Sequence, residues 1–201
     1  MDPAVIAIVF GAIFLVELPD KTFIAALVLS TRYRPLLVWI GVGLAFFVQT
    51  LIAVLAGHAA SFLPEKLIQS VALVIFLIGA VVLFRSAPGA DEEERATEEE
   101  YAARATETRT GLKAVGASFL VLFAAEWGDL SQLLTISMIA KYGNPVSVFI
   151  GAWGALLAVS GLAVLAGRVL LRYVKLSLIH YLGGSVCLLL AALTAYELLA
   201  T

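Results

Sequence analysis

The chain has 201 residues, of which 62% are hydrophobic and 14% charged, with a formal net charge of −2 and a mean hydropathy of +1.01. A soluble domain is nearer half apolar and a quarter charged, so the apolar excess cannot fit in one small core and the composition is that of an integral membrane protein. Eight of the fifteen acidic residues crowd between Asp91 and Glu107, and no cluster of Lys and Arg offers a nucleic-acid surface. Cys187 is the single cysteine, which excludes a disulfide framework and a cysteine metal cluster.

A helix that crosses roughly 30 Å of hydrocarbon needs about 20 mostly apolar residues. Six stretches meet that length, approximately 4–30, 35–60, 66–86, 112–140, 146–171 and 176–200, with Pro35, Pro64 and Pro145 in the connections between them. Their apolar runs are continuous and do not alternate as barrel strands would, so the expected fold is an all-α bundle of six transmembrane helices. The first stretch lacks a basic n-region and carries Glu17 and Asp20, unlike a cleavable signal. Ten Lys and Arg residues fall on one side of this arrangement (Arg32, Arg34, Arg85, Arg95, Arg104, Arg109, Lys113, Arg168, Arg172 and Lys175), against Lys66 and Lys141 on the other. The basic side is expected to be cytoplasmic, which puts the segment 87–111 inside and both termini outside. That segment, with its runs Asp91–Glu94 and Glu98–Glu100, reads as a solvated acidic linker between the halves 1–86 and 112–201.

The halves resemble each other. Ala53 to Gly57 recurs unchanged as Ala163 to Gly167, 110 residues later, and Glu17-Leu18-Pro19-Asp20-Lys21-Thr22 aligns with Glu126-Trp127-Gly128-Asp129-Leu130-Ser131 at an offset of 109. Each half holds three helices, an odd number, so two halves that fold alike must enter the membrane from opposite sides, as two inverted repeats. Inverted repeats around a midplane site are a common plan of secondary transporters.

Glu17 and Glu126 fall at the midpoints of the first and fourth stretches. A charge at the bilayer centre costs about 2.5–3.5 kcal/mol on insertion scales, so Glu17, Asp20, Glu126 and Asp129 together oppose insertion by about 10 kcal/mol and must face one another, a cavity or a cation. The i, i+3 spacing puts each pair on one helix face. Pro19 and Gly128 sit between the acids and are expected to break the first and fourth helices there, freeing the carbonyl of Leu15. Thr22, Ser131 and Gln132 add further oxygens, and the resulting all-oxygen shell suits Ca²⁺ or Mn²⁺ before Zn²⁺ or Cu²⁺. Four ionised acids with Lys21 carry −3. An unloaded site of like charges in a poor solvent draws protons to the oxygens that would otherwise hold metal, and that competition makes cation/proton antiport the expected mechanism.

The doubled acidic motif, in a six-helix repeat split by an acidic segment, resembles the GDT1 family of cation/proton exchangers over nearly the whole chain. The resemblance implies export of Mn²⁺, with Ca²⁺ the second candidate, in exchange for protons. The ions would be cargo, with no prosthetic cofactor. It carries the motif onto Glu17, Asp20, Lys21 and Thr22 in the first half and onto Glu126, Gly128, Asp129 and Ser131, followed by Gln132, in the second. Two residues depart from the family pattern: Pro19 stands for its usual Gly, and Leu130 for its usual Lys or Arg, leaving the second motif one cation short. Mn²⁺ against Ca²⁺, proton stoichiometry and oligomeric state, a homodimer included, stay open at this level.

Other readings weigh less. An intramembrane protease needs only two acids, and the chain is expected not to be an enzyme. A passive cation channel lacks the sign of a wide pore, and an exporter of another small solute, such as an amino acid, would need donors beyond Lys21. Gln49, Thr50 and Ser160 read first as interhelical hydrogen-bonding residues, with support of the site as the alternative. His58 and His180 read as interfacial residues, and Trp127 as packing. With no targeting extension visible, a plasma membrane is the expected location.

Overall fold

Prolines begin many of the helices, because a fixed φ suits a first turn and the missing N–H has no partner there. The computed structural model describes residues 1–18, 20–60, 64–104, 110–173 and 176–200. The first half contains α1 (Pro3–Glu17), α2 (Lys21–Arg32), α3 (Pro35–Ala60) and α4 (Glu65–Ser86). A single 3₁₀ turn, Ala87–Gly89, leads into α5 (Ala90–Arg104). The second half contains α6 (Leu112–Ala125), α7 (Leu130–Tyr142), α8 (Pro145–Tyr173) and α9 (Leu176–Ala200). Asp2 caps α1 by accepting the Ala4 N–H at 2.9 Å. Gly143, at φ +60°, ends α7 in the left-handed conformation before Pro145 starts α8.

All helices expected from the sequence are present, and no strand occurs among the described residues. Four helices (α3, α4, α8 and α9) are long and apolar enough to cross a membrane alone. The first and fourth expected spans are each two helices, α1 with α2 and α6 with α7, bent by 71° and 72°; with each pair taken as one span, there are six.

Polarity runs outward from a polar centre. Glu17, Thr22, Gln49, Thr50, Glu126, Ser131, Thr135 and Ser160 are buried, whereas Leu44, Leu55, Val74, Ile78, Leu165 and Leu189 are exposed. Exposed aliphatic faces on long helices are what a lipid solvent accepts, and the buried polar groups need a reason of their own.

Contacts between the halves come in matched pairs: α1 packs along α8 as α6 packs along α3, and α2 meets α8 as α7 meets α3. Gly41 of α3 lies against the backbone of Val115 and Phe119 and the side chain of Ser118 in α6. Its counterpart Gly151 of α8 lies against the same atoms of Ile6, Phe10 and Val9 in α1, where an added Cβ would come within 2.8 Å of the Ile6 carbonyl. Between α3 and α8 the indole N–H groups cross over. Trp39 donates to the Leu157 carbonyl and Trp153 to the Gly43 carbonyl, each at 3.0 Å.

The acidic segment is more ordered than an open linker. Its α5 helix packs on α2 with Ala90 and Tyr101 buried, while Glu92, Glu99 and Glu100 stay exposed. Residues 90, 97 and 101 share one helix face, so the Ala and Tyr that a charge count overlooks dock the helix while Glu92, Glu99 and Glu100 face out. In the second half, α4 packs on α7.

The close glycine contacts reverse the usual preference for Ala inside a helix. Gly41→Ala and Gly151→Ala are expected to lower the unfolding temperature in detergent by several degrees. Gly11→Ala and Gly116→Ala, where an added Cβ meets nothing within 4 Å, are expected to hold or raise it.

Candidate functional site

Both acidic motifs sit where a helix stops and restarts. Glu17 is the last residue of α1 and Asp20 the N-cap of α2, in extended conformation at φ −82° and ψ 160°. In the second motif, Glu126 follows the last residue of α6, and Asp129, at φ −73° and ψ 167°, is the N-cap of α7. Each Glu therefore closes one half-helix and each Asp opens the next, so the two acids of a motif converge across a chain break and not as i, i+3 neighbours of a continuous helix. Asp suits this position because its short carboxylate reaches back to the helix N–H groups. Asp129 does so, accepting from the Ser131 N–H at 3.3 Å. Of the two residues expected to break the helices, Gly128 takes φ +81°, a conformation favoured only for glycine. Pro19 lies outside the described residues. The Leu15 carbonyl, left without an i+4 donor by that proline, lies under Gly183 of α9, where an added Cβ would stand 3.1 Å from it.

The two breaks meet. One carboxylate oxygen each from Glu17, Asp20, Glu126 and Asp129 can be chosen so that all four lie within 4.8 Å of one another. Glu17 and Glu126 are 1% and 2% exposed, and the two Asp residues are half-buried. The Thr22 hydroxyl donates to Glu17 Oε2 at 3.2 Å, and the Ser131 hydroxyl, from the other motif, faces the same carboxyl. The second oxygen of Glu17 and one oxygen of Glu126 are buried without a hydrogen-bond partner. Buried carboxylate oxygens that no donor satisfies are expensive unless a cation or a proton reaches them.

Gln132 braces its own break, since its Oε1 accepts the Gly128 N–H at 3.1 Å. Gln49 of α3, which reads from sequence as an interhelical hydrogen-bonding residue, donates to the Phe123 carbonyl at 2.9 Å in the last turn of α6, where the ladder has run out. Thr135 carries no sequence motif, yet it lines a narrow cleft beside Glu126 together with Gln49, Thr50, Ser131 and Gln132. Its signal in the sequence is the repeat register: Thr135 lies one turn beyond Ser131 and aligns with the apolar Ala26.

Lys21 begins α2 with an exposed side chain, close enough for its charge to act on Glu126. Leu130, its counterpart, packs on α4, where an added Cβ at Gly79 would stand 3.2 Å from Leu130 Cδ1. Trp127 is 63% exposed on the outer surface, its ring 5.3 Å from that of Phe123 and tilted against it. His180, near the start of α9, is buried.

A family model described as divalent cation/proton antiporter GDT1 matches residues 5–91 and 114–201, which omits most of the acidic segment. GDT1-like protein 1, chloroplastic, of Oryza sativa subsp. indica is 30% identical over 94% of this chain and 61% of its own length. Protein PAM71, chloroplastic, of Arabidopsis thaliana is 31% identical over 94% of this chain and 56% of its own. A GDT1-like protein of Synechocystis sp. is 32% identical over 83% of this chain and 87% of its own. The chain thus spans about three-fifths of the length of the chloroplastic relatives. No solved structure matches it.

An added Cβ at Gly128 meets nothing within 4 Å, so Gly128→Ala strains only the backbone. The expected cost is about 1 kcal/mol, read as a fall of about 2–4 °C in unfolding temperature.

Proposed function

Because this chain belongs to the GDT1 family of divalent cation/proton antiporters, we propose that it exports a divalent cation, Mn²⁺ first and Ca²⁺ second, in exchange for protons at the four-carboxylate site. The observation that carries this reading is the convergence of four acids, one oxygen each, within 4.8 Å. Oxygens that all lie within 4.8 Å of one another are close enough to share one hard cation. Thr22 and Ser131 add hydroxyls beside Glu17, while Gln132 and Gly128 hold the second break open. The ion is cargo, so the site has to release it as readily as it binds it.

Release is where protons enter. Four carboxylates without a cation repel one another in a medium that solvates them poorly, and proton binding relieves that repulsion. A loaded and a protonated site are the two low-charge states, and antiport follows if only these states carry the site from one side to the other. The matched packing of α1 on α8 and α6 on α3 supports two repeats, 1–86 and 112–201, inverted about the site and rocking against each other. In that arrangement the acidic segment 87–111 is cytoplasmic and both termini are outside, in a plasma membrane. An amino-acid cargo is less well served, because its carboxylate needs a cationic donor and Lys21 is exposed at the head of α2.

In liposomes containing the purified chain, Mn²⁺ or Ca²⁺ flux is expected to move protons the opposite way, and lowering pH on the cation side should raise the half-saturating cation concentration. Glu17→Gln and Glu126→Gln should each lower flux at least about tenfold. Cation flux without proton movement would end the antiport reading, and flux in both variants equal to wild type would end the site assignment.

A further inference from the structure

The two halves of the site match in their acids and differ in what surrounds them. The cleft beside Glu126, lined by Gln49 and Thr50 of α3 and by Ser131, Gln132 and Thr135 of α7, has room for about one water. Three buried polar atoms without a hydrogen-bond partner, Glu126 Oε1, Thr50 Oγ1 and Gln132 Nε2, belong to residues that line it. Each orphaned group costs about 1–3 kcal/mol, so three of them in one cleft mark a place to be filled by something that brings its own oxygens or charge.

The mirror positions are more apolar. The repeat register sets Val159 opposite Gln49, Phe23 opposite Gln132 and Ala26 opposite Thr135, and all three are buried. Ser160, opposite Thr50, donates to the Leu156 carbonyl of its own helix at 2.8 Å, whereas Thr50 Oγ1 has no hydrogen-bond partner. Chain direction assigns a side to the polar approach. Thr135 lies beyond the break along α7, and the lining of α3 continues to Ala53, toward the end at Ala60. α4 then returns from Glu65 to Ser86 before α5 begins, so the polar cleft leads away from the face that carries α5.

We propose that Thr50 and Thr135, with Gln49 beside them, form a narrow neutral vestibule, one ion wide, that takes a divalent cation stripped of most of its waters next to the acids, on the face opposite α5, an inference that rests on the transport reading above. Neutral oxygens replace the ion's waters one at a time and bind it weakly enough to let it move on, which a fifth carboxylate would not. Thr50 supplies an oxygen with no competing partner. Thr135 already donates to the Ser131 carbonyl at 2.7 Å, so its lone pairs face outward from that bond.

The full chain reconstituted in liposomes, with Mn²⁺ flux measured separately for each face, tests this. Thr50→Val is expected to raise the half-saturating Mn²⁺ concentration at least about threefold for entry from the face opposite α5, with no change for entry from the α5 face, and Thr50→Ser is expected to restore it. Should Thr50→Val not yield folded protein, Thr135→Val carries the same expectation. Equal half-saturation from both faces in the variant and wild type, or an equal shift from both, would overturn the vestibule while loss of flux in Glu126→Gln leaves the four-acid site standing. Wild-type flux in Glu126→Gln would instead overturn the site and the vestibule together.

Discussion

Four carboxylates held at one point inside an apolar bundle are the constraint on which the rest of this structure depends. In such a medium each ionised acid is costly alone and more costly beside its neighbours, so the fold has to make them worth keeping. It does so by ending a helix at each Glu and starting another at each Asp. A continuous helix would hold its backbone groups in its own ladder and point two acids sideways. A broken one turns both acids and the backbone ends toward the same place.

That placement is possible only if the unbroken helices come close. Gly41 and Gly151 let α3 and α8 approach the backbones of α6 and α1, and the crossed indole bonds of Trp39 and Trp153 tie α3 to α8. In a lipid solvent, where burying apolar surface brings little, small residues and interhelical hydrogen bonds are the means by which helices associate. The bends of 71° and 72° and the matched glycine contacts go with two breaks that meet at one site.

The departures from symmetry are as informative as the repeat. Leu130 stands where the first half has Lys21. Leu130 has α4 to pack against, whereas Lys21, on the helix that α5 packs against, remains exposed. The polar cleft likewise has counterpart positions that are more apolar, so two halves with the same acids meet different surroundings. A transporter that works by exchanging two states needs the halves to be similar enough to interconvert and different enough to give each side its own access.

Much of this was legible in the sequence for a physical reason. Continuous apolar runs of membrane-spanning length leave helices as the available structure, and four acids within them have to converge on something. Gly128 at positive φ follows from local rules, whereas the acids of each motif, spaced i, i+3, read as one helix face and only the structure makes each Asp the N-cap of a new helix. What only the tertiary structure decided lies in contacts between distant segments. Gln49 reaches the Phe123 carbonyl 74 residues away, α5 docks through Ala90 and Tyr101 where composition suggests a solvated linker, and Thr135 joins Glu126 at a cleft that no motif marks. Local spacing determines which groups a helix turn presents, but which partner they meet depends on how closely other helices approach, and that is set by packing across the whole bundle.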